Sequence, residues 1–169
     1  MTKILALTLL VATAACTQAD RSDTAAVTDT VAASVDTTAT ATADSVADAN
    51  TVGADRLAGF VHMDSAKAQA LIAARPFGTI VDLNKFLLSQ GLTQEEVTEF
   101  YQNAFVKIDL NTGTRDEMLL IPGVGPRMAH ELEEYRPWTS WAQFDKEIGK
   151  YVDETEVARL KRYVTMKVE

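Results

Sequence analysis

Residues 48–89 recur at 109–150 at a constant offset of 61 positions, so the larger part of this chain is one module used twice. Asp48, Asn50, Thr51 and Asp55 fall on Asp109, Asn111, Thr112 and Asp116, while Ala68, Leu71, Arg75, Pro76 and Lys85 fall on Ala129, Leu132, Arg136, Pro137 and Lys146. After a one-residue deletion the offset becomes 60, and Glu96, Val97 and Lys107 meet Glu156, Val157 and Lys167. The large apolar positions agree too, Phe77 with Trp138 and Leu83 with Phe144. A period of this size marks one supersecondary unit that stacks on its copy. The copies part company at one place. The second has Ile121-Pro122-Gly123-Val124-Gly125-Pro126 where the first has Phe60-Val61-His62-Met63-Asp64-Ser65. A function that needs the glycines belongs to the second copy.

The start of the chain is of another kind. Lys3 precedes an apolar run from Ile4 to Ala15 and then the single cysteine, Cys16. A basic start, a short apolar stretch and small residues before the cut make a secretory signal, here residues 1–15. The run is shorter than the ~20 residues of a spanning helix. Thr13-Ala14-Ala15-Cys16 resembles a bacterial lipobox, which implies a lipidated Cys16 and a membrane-anchored lipoprotein of the bacterial envelope, facing periplasm or exterior. Cleavage nearby without acylation is the plainer alternative and leaves a free thiol. A lone cysteine builds no disulfide framework, so the fold must rest on its core.

From Cys16 to residue 46 the composition is dominated by Thr, Ala, Asp, Ser and Val, without aromatic residue, glycine or proline. Such a segment buries too little apolar surface to offset its ordering entropy and reads as a disordered linker.

The remaining stretches, 47–107 and 108–169, carry helical signals throughout. Thr114-Arg115-Asp116-Glu117 reads as a capping box, followed by Met118, Leu119 and Ile121 as a buried side. Pro122-Gly123-Val124-Gly125 breaks that helix, and Pro126 suits the first position of the next, where its missing N–H is not needed. Met128, Ala129, Leu132 and Tyr135 then form a stripe, with Glu131, Glu133 and Glu134 expected outside. Ser140–Gln143 reads as a second capping box, with Trp141, Phe144 and Ile148 as an apolar face, and Asp153 opens a last helix over Val157 and Leu160. Thr79 and Thr93 open the corresponding helices of the first copy. The fold class expected is all-α, two tandem repeats of about 60 residues, each a pair of helical hairpins.

Ile108-Asp109-Leu110-Asn111-Thr112, Leu120-Ile121-Pro122-Gly123-Val124-Gly125-Pro126, Ala129 and Tyr135-Arg136-Pro137 resemble the helix–hairpin–helix domain of ComEA-type competence receptors. That family holds double-stranded DNA at the cell envelope. The same residues resemble the extrinsic photosystem II subunit U, a protein-binding scaffold. The resemblance implies the fold and leaves two ligand classes, double-stranded DNA through its phosphate backbone or an envelope protein.

The hairpin supplies a physical basis for the first. Gly123 and Gly125 permit torsions and close approaches denied to other residues, and Val124 can wedge between the helices. The amides of Gly125, Arg127 and Met128 then face outward at a helix N-terminus, which together with the dipole forms an anion site. A backbone phosphate fits there without sequence information, and Arg127 can add a charge-assisted bond. Arg127, Lys150, Lys161 and Arg162 are candidates for a local basic edge.

Charge favours the scaffold. Residues 47–107 hold five basic and seven acidic side chains, residues 108–169 hold nine and twelve, and the chain is −8 overall. Duplex binding draws its affinity from phosphate neutralisation, so a basic footprint is expected of a DNA binder. The first copy also puts Asp64 where Gly125 stands, and Glu147-Ile148-Gly149-Lys150-Tyr151 does not repeat the Gly-x-Gly pattern. Enzymatic readings find no support: His62 and His130 lack ligand-spaced partners for a metal, and no nucleophile motif, acid–base pair or nucleotide loop is present. A cofactor is not expected. Tyr135, Trp138 and Trp141 read as core, or as an aromatic patch for a partner.

Overall fold

Side-chain caps start six of the eight helices among the described residues. A computed structural model describes residues 45–167, which belong to one compact unit. The expected signal segment, Cys16 and the linker as far as residue 44 lie outside the described residues. The first copy runs β1 (Ala47–Asp48), α1 (Ala54–Ala58), α2 (Ser65–Ala73), α3 (Ile80–Ser89), α4 (Gln94–Phe100) and β2 (Ala104–Phe105). The second runs β3 (Ile108–Asp109), α5 (Arg115–Met118), α6 (Pro126–Glu134), α7 (Trp141–Ile148), α8 (Glu154–Leu160) and β4 (Val164–Thr165). Thr79, Thr93 and Thr114 each close a full capping box, with Asp82, Glu96 and Glu117 returning a bond to the cap amide. Ser140 accepts from the Gln143 amide, but the Gln143 side chain turns to the Thr139 amide instead, at 2.9 Å.

The described residues are thus mainly helical, with four two-residue strands. Those strands have no alternating pattern, yet each closes its copy. β1 pairs in parallel with β2 and β3 with β4, so the entry and exit of each copy lie side by side. The ladder stops because the next amides on the partner side turn back on their own strand: Thr51 N donates to Asp48 O at 3.1 Å and Thr112 N to Asp109 O at 3.3 Å.

One apolar core runs through both copies, from Leu57, Leu71 and Leu83 to Met118, Leu132 and Phe144, all fully buried. Between the copies, the Phe105 and Tyr163 rings meet edge to face at 5.0 Å. α3 packs against α5. Three positions depart from the helical stripes read in the sequence. Leu119 is 39 % exposed because α5 ends at Met118, and Trp141, at the first position of α7, is also 39 % exposed. Glu131, expected outside, is buried. No helix among the described residues is long and apolar enough to cross a membrane.

Candidate functional site

The motif residues outside the glycine turn are fasteners. Asn111 Oδ1 accepts from the Trp138 amide at 2.7 Å while its Nδ2 donates to Trp138 O at 3.0 Å and Lys167 O at 3.3 Å. Arg136 donates from Nε to Leu110 O at 2.6 Å and from Nη2 to Gly113 O. The first copy repeats this: Asn50 clasps Phe77 N and O, and Arg75 reaches Ala49 O and Val52 O. Both Arg-Pro bonds are cis. Asn111 and Arg136 therefore tie the entry segment of the second copy to the loop before α7, which leaves the hairpin itself as the candidate site.

At that hairpin Gly123 is the glycine whose backbone torsion favours one. Its φ is +80°, a left-handed torsion, and a Cβ there would come within 3.2 Å of Arg159 Nη2. Val124 is 7 % exposed and its amide donates to Ile121 O at 3.0 Å, so it wedges under the turn. Gly125 has φ −95° and open space where a Cβ would stand, so the backbone does not require glycine there. The absent side chain matters instead for what it leaves uncovered. Gly125 is the N-cap of α6, no side chain caps that helix, and Pro126 occupies N1.

The aligned turn of the first copy is the same shape with different chemistry. His62, aligned with Gly123, keeps a positive φ of 61° and pairs through Nε2 with Glu99 at 2.6 Å. Asp64, aligned with Gly125, caps α2 by accepting from the Lys67 amide at 2.8 Å and from Lys67 Nζ at 2.9 Å. Those bonds, the backbone one first, hold its carboxyl below the usual aspartate range. The helices that end the other two hairpins are closed as well, α4 by Thr93 with Glu96 and α8 by Asp153, which accepts from Glu156 N at 2.9 Å. Of the four helices that follow a hairpin turn, α6 alone lacks a side-chain cap, although α1, which opens the first hairpin, also starts at an uncapped glycine.

Gly123, Gly125, Arg127 and Met128 come together along one shallow cavity of about 270 Å³, and the second hairpin supplies its other wall through Tyr151 and Val152. Arg127 lies over the Tyr151 ring at 5.7 Å. The Tyr151 hydroxyl meets that of Tyr135 at 3.1 Å, and bonding to Tyr135, then to Glu131, pushes its phenol above the ordinary range. Glu131 also lines the cavity, a carboxylate beside the place where an anion would sit. Sequence reasoning missed Tyr151 and Glu131; their signal lies in tertiary placement, since Tyr151 belongs to the turn of the second hairpin and Glu131 sits on the inward side of α6.

The expected basic edge does not form. Lys150 pairs with Glu147 and lies over the Tyr135 ring at 5.3 Å, which raises its pKa and lowers that of Glu147. Lys161 pairs with Asp145 and covers Trp141 at 5.6 Å. Both lysines line a separate cavity shared with Asp145 and Asp153. Arg162 lines a third cleft on the other side of Gly123. His62 and His130 pair with glutamates, His130 with Glu134 at 3.3 Å, and among the described residues no group of three His, Cys, Asp or Glu side chains could hold a metal. No family model matches the chain, and neither a curated protein nor a solved structure does.

Proposed function

We propose that the folded residues are a non-catalytic binding domain of tandem helix–hairpin–helix repeats, held at the bacterial envelope through lipidated Cys16. In this reading the hairpin of the second copy takes a backbone phosphate of double-stranded DNA without regard to base sequence. The observation that carries it is the open N-terminus of α6, set against the same position in α2, where the Asp64 carboxylate fills the place an anion would take. Amides of Gly125, Arg127 and Met128 receive the phosphate at the positive end of the helix dipole, and the Arg127 guanidinium adds charge. Gly125→Asp tests this directly, because φ −95° and the open Cβ position let it copy Asp64 without strain. Duplex affinity is expected to vanish in the variant at an unchanged melting temperature. Retained affinity would remove the α6 site.

A second reading has its own support. Side chains close three of the four hairpin helices, and both copies are net acidic. These features suit a scaffold for an envelope protein, with the exposed Trp141 as a contact. The same titration separates the two, because a scaffold leaves duplex DNA unbound at low salt.

A further inference from the structure

We infer that Tyr151, in the turn of the second hairpin, is the positioning residue of the α6 phosphate site. Its ring holds the Arg127 guanidinium at the helix N-terminus, and its hydroxyl keeps the Glu131 carboxylate from drawing that guanidinium away. The inference rests on the DNA reading above. Both hairpins of the second copy then build one site, since the cavity lined by Gly123, Gly125, Arg127 and Glu131 has Tyr151 as its other wall.

The aligned positions show what the second copy added. At an offset of 61, Ala66, Ala70 and Ala74 of the first copy become Arg127, Glu131 and Tyr135. Residues four apart share one face of a helix, so a stripe of alanines has become a cation, a carboxylate and a phenol in line. The opposing turn changed with it, because Ser89-Gln90-Gly91 holds no aromatic residue to match Tyr151. Glu131 is the one buried charged side chain among the described residues, at 8 % exposure. Such a group is costly to bury unless it is hydrogen-bonded. The Tyr151 hydroxyl supplies a bond, and it also meets the Tyr135 hydroxyl at 3.1 Å. A carboxylate only accepts, so Tyr151 donates to Glu131 and Tyr135 donates to Tyr151. The rings anchor this chain to the core: Tyr135 lies 6.0 Å from Trp138, which is 1 % exposed, and 6.5 Å from Tyr151. Arg127 rests over the Tyr151 ring at 5.7 Å. Because Arg127 and Glu131 are one turn apart on the same face, a carboxylate released by Tyr151 would take the guanidinium as its next partner.

Binding of a labelled duplex to the full chain is followed by anisotropy at ~20 mM salt, where screening is weak, with a melting curve for every variant. Tyr151→Phe keeps the ring and removes the hydroxyl, and is expected to weaken binding roughly three- to ten-fold, the scale of one net hydrogen bond. Adding Glu131→Gln to that variant is expected to restore wild-type affinity, since no carboxylate is left to compete for Arg127. Tyr151→Leu removes the ring as well, and a loss of about two- to five-fold from the cation–π contact should persist when Glu131→Gln is added. Glu131→Gln alone is expected to bind at least as tightly as wild type, and weaker binding would overturn the proposal. A packing role for Tyr151 predicts instead that affinity follows the melting temperature and that Glu131→Gln rescues nothing. If that is seen, or if both Tyr151 variants bind as wild type while Arg127→Ala weakens binding, the positioning role is overturned and the α6 site stands. If wild type shows no affinity, the DNA reading falls and this role with it.

Discussion

Asn111→Ala separates a fastening motif from a ligand-binding one. The wild-type amide satisfies both backbone groups of Trp138, which is 1 % exposed, at 2.7 and 3.0 Å, and adds a longer bond of 3.3 Å to Lys167 O. Alanine leaves the Trp138 N–H and C=O without that partner in a place water reaches poorly. Each unsatisfied group costs about 1–3 kcal/mol, so a loss of roughly 2–4 kcal/mol is expected once the loop has relaxed. For a domain of this size that corresponds to a fall in Tm of about 6–20 °C, read by calorimetry or circular dichroism on the full chain. Asn50→Ala removes the two equivalent bonds to Phe77 and is expected to cost slightly less, because nothing there matches the bond to Lys167. Asn111→Asp keeps the acceptor and loses the donor, and should fall between. The reasoning is refuted if Asn111→Ala melts within ~2 °C of wild type and instead loses ligand binding, since the residue would then be a contact and not a clasp.

Gly123→Ala should cost about 1–2 kcal/mol in a melting curve, the usual penalty for a left-handed alanine, whereas Gly125→Ala should stay within about 0.5 kcal/mol because its φ is −95°. Below pH 4.5 the fold should weaken progressively, since Asp64, Glu96, Glu147 and Glu156 all have folded-state pKa values lowered from 3.8 or 4.5 by hydrogen bonds. Stability from a depressed carboxylate is present above its unfolded pKa and is lost as pH falls through the folded one. Asp64→Asn, which can still cap α2 but carries no charge, should flatten the acid limb of Tm against pH, and an unchanged limb would discount that cap. At the amino end, wild-type protein should partition with membranes and take up a palmitate analogue while Cys16→Ser does neither; wild type found free in the soluble periplasm would remove the anchor.

The sequence made the helices legible because their starts are local chemistry. Thr79, Thr93, Thr114, Ser140 and Asp153 each accept from an amide three residues on, a contact that spacing alone predicts. The four short strands were not legible, because two-residue ladders between the ends of a copy leave no periodic trace and depend on the fold that brings those ends together. Burial at helix margins was misread for a related reason. Trp141 is apolar but sits at the first turn of α7, where it meets the core only edge to face at Phe144 and Lys161 covers it from outside, and Glu131 is charged yet reaches a tyrosine hydroxyl. At the candidate site, the glycine pattern overstates what the turn needs, since Gly125 has φ −95°. His62 adopts the same left-handed torsion as Gly123, so loss of the glycines did not mean loss of the hairpin. What distinguishes the copies is the side chain at the helix cap and the charge across the turn, Asp64 and Glu99 against Gly125 and Arg159. Those differences stand in the alignment, but their convergence on one turn needed the three-dimensional arrangement.

Affinity of the wild-type chain for duplexes of unrelated sequence, measured from ~20 to ~200 mM salt, tests the central claim most directly. The account predicts equal affinities for all sequences and a slope of log K against log salt of about −0.9, for one phosphate at the α6 hairpin. No affinity at ~20 mM salt, or a base-sequence preference beyond ten-fold, would contradict it.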